Sequence, residues 1–348
     1  MTAERDLAHC KEAIRHGSLS FHAASKLLPA TVRDPALALY AFCRLADDAV
    51  DLNDAKPRAV LGLRDRLDLI YAGRPLDAPS DRAFARVVEE FEMPRALPEA
   101  LLEGLAWDAM GRQYETLSEL YDYSARVAAA VGAMMTVLMK VRDRNALSRA
   151  CDLGVAMQLT NIARDVGEDA RERRLYLPLQ WMEEIGVAPE AFFADPLPGP
   201  EIRGLVRRLL RDADRLYYRA EPGIGLLPKA ARPGIFAARH IYAGIGGAIS
   251  RNGYDTISYR ARTYRAQKIG WLGVSIMRSA LTMVSALPAT IYADPLRETR
   301  FLVDAAARDL PATNPWGEGR SGALLGVLAQ LEARDRSAGL EPDHAQAI

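Results

Sequence analysis

The segment GVAMQLTNIARDVGEDARERRLYLP, residues 154–178, decides the fold of this chain. Its apolar residues recur at helical spacing, and Asp165 and Asp169 are four residues apart, about one helical turn. Together with Gln158 and Asn161 they form one polar stripe on a helix that is otherwise apolar. Such a narrow stripe between apolar faces predicts a helix that lines an internal cavity.

A second segment, YAFCRLADDAVD, residues 40–51, carries a matching stripe. Tyr40, Arg44, Asp47 and Asp51 fall on one face, and the two aspartates are again one turn apart. Like charges at that spacing repel each other and destabilise a bare helix. Two such pairs on separate helices indicate a cation between them. Mg²⁺ is favoured, with Mn²⁺ as a substitute, because Mg²⁺ is typically held by one or two carboxylates plus substrate phosphate oxygens.

The alternative explanation is that these acids form ordinary ion pairs on exposed helix faces. Arg44 could pair with Asp47 or Asp48, and Arg164 with Glu168. Either motif alone fits this alternative as well as it fits a cation site. The two matched stripes together favour the cation site.

Basic residues follow the second acidic pair, and arginine presents a planar fork of donors suited to phosphate oxygens. Of these we select Arg174, together with Arg164 inside the stripe, as candidate phosphate contacts. A later basic run could close over a diphosphate or form an exposed helix face, and the sequence leaves both open. That run consists of Arg260, Arg262, Arg265 and Lys268.

The chain shows no nucleophilic serine motif, no glycine-rich phosphate loop and no pair of histidines one turn apart. The residues therefore indicate metal-assisted departure of a diphosphate inside an apolar helical chamber. The allylic cation left behind requires exclusion of water and nearby aromatic faces. The candidates for that aromatic wall are Phe21, Tyr40, Tyr176 and Tyr242.

Composition favours helices and excludes several classes of protein. The 348 residues are 49% hydrophobic with a formal charge of zero, which gives no indication of nucleic-acid binding. Alanine dominates the apolar residues and favours helix over strand. Cys10, Cys43 and Cys151 lack metal-type spacing and are expected to be reduced thiols in a cytoplasmic protein. The charged N-terminus resembles no signal peptide.

Apolar periodicity predicts one all-helical domain over residues 1–310, followed by a tail of unknown role over residues 311–348. Asp34-Pro35 is expected to open one helix as its N-cap and first residue. The apolar stretch 271–293 is expected to be a buried helix followed by a break, since Arg278 and Pro288 interrupt it. A surface that rests on a membrane is the alternative. The predicted helices span residues 34–50, 58–72, 82–92, 98–112, 119–141, 146–168, 201–220, 235–251, 259–286 and 295–308, with a further short helix near 322–333.

The chain resembles the squalene/phytoene synthase family. Residues 154–178 match one signature of that family, and YSARVAAAVG, residues 123–132, matches the other. Residues 40–51 resemble its first aspartate-rich motif. Two further matches are SFHAASKLLP, residues 20–29, and DAMGRQYETLSEL, residues 108–120. One departure is Leu19, where many relatives carry a lysine.

The resemblance implies a single-domain, all-α isoprenoid-synthase (class I terpenoid synthase) helical bundle around a central cavity. It implies head-to-head condensation of two prenyl diphosphates through a cyclopropylcarbinyl diphosphate. The residues that would bind magnesium are Asp47, Asp51, Asn161, Asp165 and Asp169. Those that would contact the substrate or hold it in place are Ser20, Tyr40, Arg44, Gln158, Arg164, Arg174, Tyr176 and Tyr242.

Within the family, these motifs are most similar to those of bacterial members that form phytoene from geranylgeranyl diphosphate, the first committed step of carotenoid biosynthesis. No NADPH is expected, since the last cation would lose a proton rather than accept hydride. Formation of squalene, dehydrosqualene or hydroxysqualene from farnesyl diphosphate is the alternative. A non-catalytic scaffold is disfavoured by the four retained aspartates, and a chain-elongating prenyltransferase by the Arg-x-Tyr-x-Pro ending.

The apolar substrate and product imply an enzyme that works beside lipid. We therefore expect a peripheral contact with the inner face of the cell membrane, near residues 271–287. The protein partners expected from such a pathway are the carotenoid enzymes that act after this one.

Overall fold

The computed structural model describes residues 2–17, 19–51, 56–284 and 288–308. Within these ranges the side chains of residues 2, 16, 17, 19, 20, 47–51, 56, 57 and 265 lie outside the description. The described chain is helical without a strand, as the periodicity predicts. The first helices are α1 (Thr2–Gly17), α2 (Leu19–Ser25), α3 (Ala30–Asp51), α4 (Lys56–Tyr71), α5 (Pro79–Phe91), α6 (Ala96–Ala109), α7 (Leu117–Ser124) and α8 (Ala130–Leu138).

The second half continues with α9 (Arg144–Arg171), α10 (Leu179–Glu184), α11 (Pro189–Ala194), α12 (Pro200–Ala220), α13 (Arg232–Arg251), α14 (Arg265–Leu281) and α15 (Arg300–Ala306). The predicted domain end at residue 310 and the tail lie outside the described residues and stay predictions. Cys10, Cys43 and Cys151 are free thiols in the fold.

The 28-residue helix α9 is the centre of the bundle. Asp143 caps its first turn, where the carboxylate accepts a hydrogen bond from the backbone N–H of Ala146 at 2.8 Å. The helix packs against α8, α12, α13 and α15. Because it is covered from several sides, most of its apolar residues are buried, and one side of the helix, which includes Gln158 and Asn161 of the predicted stripe, faces a cavity.

Glycines let the backbone of α9 come unusually close to its neighbours. A Cβ added to Gly154 would lie 2.6 Å from the Cα of Ala129 and 2.7 Å from the carbonyl oxygen of Ala128. A Cβ at Gly167 would lie 2.5 Å from the Cα of Ile257. Any side chain at either position would therefore push two backbone segments apart.

Between α7 and α8, residues Ala125–Ala129 form one π-helical turn, so the three pieces make a single rod with a wide turn in its middle. A continuous helix over 119–141 was predicted, and the π-turn is the departure from it. The π-turn lies against α6 and against α9. It is therefore the part of this rod that meets Gly154.

A buried ion-pair network holds the segment after α14 against α9 and α12. Arg149 and Asp152 of α9 are buried and pair at 2.8 Å, and Arg219 of α12 contacts the same carboxylate at 2.8 Å. The Arg149 guanidinium also donates to the carbonyl oxygen of Thr290 at 2.7 Å. The chain around residues 290–294 is thus fixed by charge-assisted hydrogen bonds.

The prediction that Asp34 opens a helix is wrong, because α3 begins at Ala30 and Pro35 lies in its second turn. A proline this early removes only one backbone hydrogen bond. The first turn is closed instead by Pro29, whose carbonyl oxygen accepts from the backbone N–H of Arg33 at 2.8 Å. The Asp34 carboxylate accepts from the Arg33 side chain at 3.1 Å.

Two predictions about residues 259–293 are also wrong. Residues 259–264 are not helical, and α14 begins only at Arg265. The expected buried helix is largely exposed along its apolar face, whereas its small and polar residues Ser275 and Ser279 are buried. The cause is the neighbouring helix α13, whose His240 accepts or donates a hydrogen bond with Ser275 at 3.0 Å and therefore faces the polar side of α14.

We predict that Gly154→Ala lowers the free energy of unfolding by about 1–3 kcal/mol, because overpacking at a backbone contact cannot relax cheaply. Gly204→Ala is the matched control, since Gly204 is an exposed position of α12 with no atom within 4 Å of an added Cβ. There the change should raise stability by about 0.5–1 kcal/mol. Urea denaturation measures both, and equal effects would contradict the close-contact account.

Candidate active site

A cavity of about 870 Å³ lies between α3, α6, α8, α9 and α13. Its wall residues on α9 run from Ala146 to Arg164, eighteen residues apart, which corresponds to a length of about 27 Å. The body of the cavity is lined mainly by apolar side chains, and polar residues gather toward the Arg164 end. The cavity is therefore a long apolar chamber with a polar mouth.

The mouth contains residues that the two predicted stripes contribute. The cavity wall includes Tyr40 and Arg44 from α3, Gln158, Asn161 and Arg164 from α9, and Tyr242 from α13. The Asn161 amide nitrogen approaches the Gln158 side-chain oxygen at 3.5 Å. The side-chain oxygen of Asn161 is buried and has no hydrogen-bond partner, so it is an acceptor available to a ligand.

Asp165, one turn beyond Asn161, is neutralised by two guanidinium groups. Arg164 makes two contacts with its carboxylate, at 2.8 and 2.5 Å, and Arg260 contacts it at 2.9 Å. Arg260 also approaches Glu168 at 3.2 Å. The alternative pairing of Arg164 with Glu168 is thus replaced by a pairing with Asp165, the predicted ligand.

Asp169 is largely buried, and burial raises its pKa to about 7. Arg174, at 3.7 Å, opposes this rise in pKa, and the nearby carboxylates of Asp165, Glu172 and Glu168 contribute to it. Arg174 therefore compensates the charge of this carboxylate only in part, and a cation beside it would supply the rest.

The other half of the predicted metal site is only partly described. Helix α3 carries Asp47 and Asp51 in its last turns, but their side chains, like that of Ser20, lie outside the described residues. Among the described side chains, no three from His, Cys, Asp and Glu converge in the manner of a metal site. The assignment of metal ligands therefore stays a prediction.

The basic run after residue 259 lies across the mouth. Arg260, Arg262 and Lys268 all line the cavity, although the first two belong to a segment without regular secondary structure rather than to a helix. Burial lowers the pKa of Lys268. Of the two alternatives left open by the sequence, this placement fits a run that closes over a bound anion.

Three of the four residues predicted for the aromatic wall line the cavity, and Tyr123 takes the place of the fourth, Tyr176. The Phe21 ring lies 6.3 Å from that of Tyr40 and 5.5 Å from that of Tyr242, between ring centroids, and all three line the cavity. Tyr176 does not line this cavity; its hydroxyl donates to Asp108 instead. Tyr123 lines the cavity in its place.

Tyr123 and Asp108 were not among the candidate residues from the sequence, yet both face the cavity. A signal for each was present. Asp108 is the first residue of the matched segment DAMGRQYETLSEL, and Tyr123 is the first residue of the matched segment YSARVAAAVG.

Comparison with known proteins gives a consistent result. The family described as squalene/phytoene synthase matches residues 14–267. The phytoene synthase of Cereibacter sphaeroides is 64% identical over 346 residues, covering 97% of this chain and 96% of that protein. The phytoene synthase of Rhodobacter capsulatus is 58% identical over 345 residues, covering 98% of this chain and all of the relative.

Solved structures agree with the fold. A dehydrosqualene synthase bound to a ligand superposes with a TM-score of 0.74 at 30% identity, covering 81% of this chain and 98% of the other. A squalene synthase from Alicyclobacillus acidocaldarius superposes with a TM-score of 0.67 at 23% identity, covering 73% and 96%. The predicted all-α isoprenoid-synthase bundle is confirmed. The chain belongs to the squalene/phytoene synthase family.

Proposed function

We propose that this protein is a phytoene synthase that joins two molecules of geranylgeranyl diphosphate head to head and releases diphosphate. The observation that carries the proposal is the 64% identity, over 97% of the chain, to a protein named phytoene synthase. The cavity supports it, because a long apolar chamber with a cationic mouth suits a prenyl chain that ends in a diphosphate. The enzyme is a transferase of the prenyltransferase type.

The positively charged side chains at the mouth would bind the diphosphate. Arg44, Arg164 and Lys268 line the cavity there, and arginine presents paired donors to phosphate oxygens. Arg260 also lines the mouth and contacts Asp165 and Glu168. A diphosphate would compete with these carboxylates for the guanidinium group of Arg260.

The residues beside the mouth fit a divalent cation. The unpartnered oxygen of Asn161 is a neutral ligand of the type that Mg²⁺ accepts, and Asp165 and Asp169 supply carboxylates on the same helix face. With Asp47 and Asp51 of α3 they would hold Mg²⁺, or Mn²⁺ in its place. When bound, the metal supplies charge neutralisation for the departing diphosphate. No reduced nicotinamide is expected to take part.

The chamber would orient the prenyl chains and exclude water. Its apolar wall keeps water from the allylic cation, and the rings of Phe21, Tyr40 and Tyr242 present aromatic faces near the mouth, where the cation forms. The length of about 27 Å along α9 leaves room for a twenty-carbon chain. The relatives named phytoene synthase favour that substrate over the fifteen-carbon one.

The first prediction from this proposal concerns the product of the reaction. Purified protein with Mg²⁺ and geranylgeranyl diphosphate should release phytoene and diphosphate without any reductant, as measured by chromatography of the extracted hydrocarbon. Farnesyl diphosphate should be a poor substrate. A squalene-type product from farnesyl diphosphate alone would sink the proposal.

Variants make this test specific to the site. Asp47→Ala and Asp165→Ala should each abolish turnover while leaving the helical circular dichroism spectrum unchanged, because each removes a carboxylate from the proposed metal site. Asp212→Asn is the control, since Asp212 lies on α12 and does not line the cavity. Near-normal activity of either alanine variant would show that the acids are not metal ligands.

A second prediction follows from the raised pKa of Asp169. Between about pH 4 and pH 7 the folded protein keeps a proton on this carboxyl that the unfolded chain releases, so the free energy of unfolding of the metal-free protein should fall as the pH rises through this range. Asp169→Asn removes this contribution. The melting temperature of that variant should exceed the wild-type value by about 2 °C or more at pH 8, and the two should converge at low pH.

Added Mg²⁺ supplies the control for the pH experiment. A metal binds the deprotonated carboxylate, so Mg²⁺ should raise the wild-type melting temperature more at pH 8 than at pH 6. The Asp169→Asn variant should lose most of that dependence. A difference between variant and wild type that is independent of pH would refute the titration of Asp169.

We also propose a peripheral membrane contact through α14. No helix of the described residues is long and apolar enough to cross a membrane. However, the outward face of α14 and the turn after it carries large apolar side chains that are 48–83% exposed. These side chains are Ile269, Ile276, Met277, Leu281, Met283 and Val284. Ile269, Ile276, Met277 and Leu281 share one side of α14, as in an interfacial helix, and Met283 and Val284 follow in the turn after it.

The opposite face of α14 is bound to α13, so the apolar face cannot simply rotate inward. The indole of Trp271 fills the space above Gly244, where an added Cβ would lie 2.1 Å from the ring. Arg262, before α14, and Arg278, within it, are exposed, although Arg278 also pairs with Glu221 at 3.4 Å; Lys268 lies between them in the sequence. This charge complements an anionic bilayer. The helix starts at the cavity mouth, so lipid-borne substrate would arrive beside it.

The third prediction tests this contact with vesicles. Wild-type protein should sediment with vesicles that contain phosphatidylglycerol, and less with pure phosphatidylcholine. The double variant Ile276→Glu/Met277→Glu should lose sedimentation and remain active on detergent-dispersed substrate. Leu197→Glu is the matched control, because Leu197 is 60% exposed and lies outside α14. Equal recovery of wild type and double variant in the supernatant would refute the contact.

A further inference from the structure

A carboxylate faces the chamber at a place where neither stripe supplies one. Asp108 occupies the last full turn of α6, on the same helix face as Leu101 and Leu105, and all three side chains line the cavity. The eleven residues that precede it in this helix are buried. A charged group that faces a mainly apolar chamber requires a specific environment.

That environment includes two tyrosine hydroxyls. Tyr123 donates to one carboxylate oxygen of Asp108 at 2.8 Å, and Tyr176 donates to the other at 2.8 Å. The two tyrosine rings stack with centroids 5.2 Å apart, and the buried ring of Tyr114 stacks on Tyr176 at 6.2 Å. These rings fix the positions of both hydroxyls, and so the position of the carboxylate.

The environment of Tyr123 and Tyr176 also determines their protonation state. Burial raises the pKa of both Tyr123 and Tyr176, and the charge of Asp108 raises each of them further. Both phenols therefore stay protonated, and each is the donor in its hydrogen bond with the Asp108 carboxylate. Donors to an ionised carboxylate favour its charged form.

We propose that Asp108 is a further catalytic residue, whose fixed negative charge at the cavity wall stabilises the carbocations of the reaction. This rests on the proposed function, in which the bond between carbon and diphosphate oxygen breaks, the electron pair leaves with the oxygen, and a cation stays in the chamber. A fixed charge aimed at developing positive charge is strongest where water is excluded.

The tyrosines explain how a carboxylate can face a carbocation without reacting with it. A free carboxylate would be alkylated to an ester by an allylic cation. Hydrogen bonds from Tyr123 and Tyr176 occupy one lone pair on each oxygen of Asp108 and reduce its nucleophilicity. The cluster thus retains the electrostatic effect of the charge and suppresses the covalent reaction.

The test compares two ligands of the same shape. One is a geranylgeranyl chain that ends in a protonated dimethylamine; the other is the same chain ending in an isopropyl group. Each is titrated calorimetrically into the full-length protein with Mg²⁺ and inorganic diphosphate. The wild type should bind the ammonium ligand on the order of tenfold or more tightly than the neutral one. Equal affinities in the wild type would by themselves overturn the proposal.

Removing the charge should remove this preference. In Asp108→Asn and Asp108→Ser the ammonium ligand should lose on the order of tenfold in affinity, while the neutral ligand changes by less than about twofold. Asp108→Glu should restore part of the preference. Turnover by Asp108→Asn should fall on the order of 100-fold in kcat with little change in KM. A merely structural role would weaken both ligands alike, and that result would refute the proposal.

Controls separate this test from the proposed function. Tyr121→Phe alters a neighbouring tyrosine of α7 that does not line the cavity, and it should leave both affinities unchanged. If the wild type uses farnesyl diphosphate instead, the same pair of ligands on a farnesyl chain still decides the role of Asp108. The proposed product can therefore fail while the electrostatic role stands, and the reverse also holds.

Discussion

The contact between two backbones at Gly154 is the constraint on which the site depends. Because no side chain separates α9 from the π-turn, the two helical rods are in direct contact, and their relative position is fixed at that point. One end of α9 then presents Gln158 and Asn161 to the mouth, and the other presents Ala146 and Ala150 to the far end of the chamber. Larger residues at the crossing would widen the bundle and move the polar stripe away from α3.

The mouth concentrates charge in a protein whose formal net charge is zero. Asp165 is shared by Arg164 and Arg260, and Asp169 is buried with incomplete compensation. In the proposed reaction an anion that engages Arg164 and Arg260 would free Asp165 for a cation, and a cation on Asp165 would free both guanidinium groups for the anion. Such linkage is reciprocal, so diphosphate and metal would each favour binding of the other.

Much of this arrangement could be predicted from the sequence, because helical periodicity determines which residues share a face. The stripes on α3 and α9 are examples, since both contribute side chains to the cavity. Periodicity gives no information about partners in space. The hydrogen bond between Asp108 and Tyr176, which are 68 residues apart, therefore could not be predicted. For the same reason Tyr176 was expected in the aromatic wall of the cavity, which it does not line.

The orientation of α14 shows the same difficulty in another form. Apolar residues on a helix are ordinarily taken to face a core. Here the partner helix α13 presents His240 to the polar side, so the apolar side is left outward. Arg260 and Arg262 are a related case, since a helix is predicted over residues that have no regular secondary structure. In both cases tertiary contacts override the local pattern.

The π-turn at Ala125–Ala129 has a consequence for how this helical rod can vary. A π-turn accommodates one residue more than an α-helical turn, as a single-residue insertion would. Loss of one residue there would convert the rod to a regular α-helix and rotate everything before it by about 100° relative to α8. Tyr123 would then leave the cavity wall while Val131 and Met135 kept their places. The extra residue of the π-turn thus sets the rotation of α7 relative to α8, so that side chains from both helices face the same chamber.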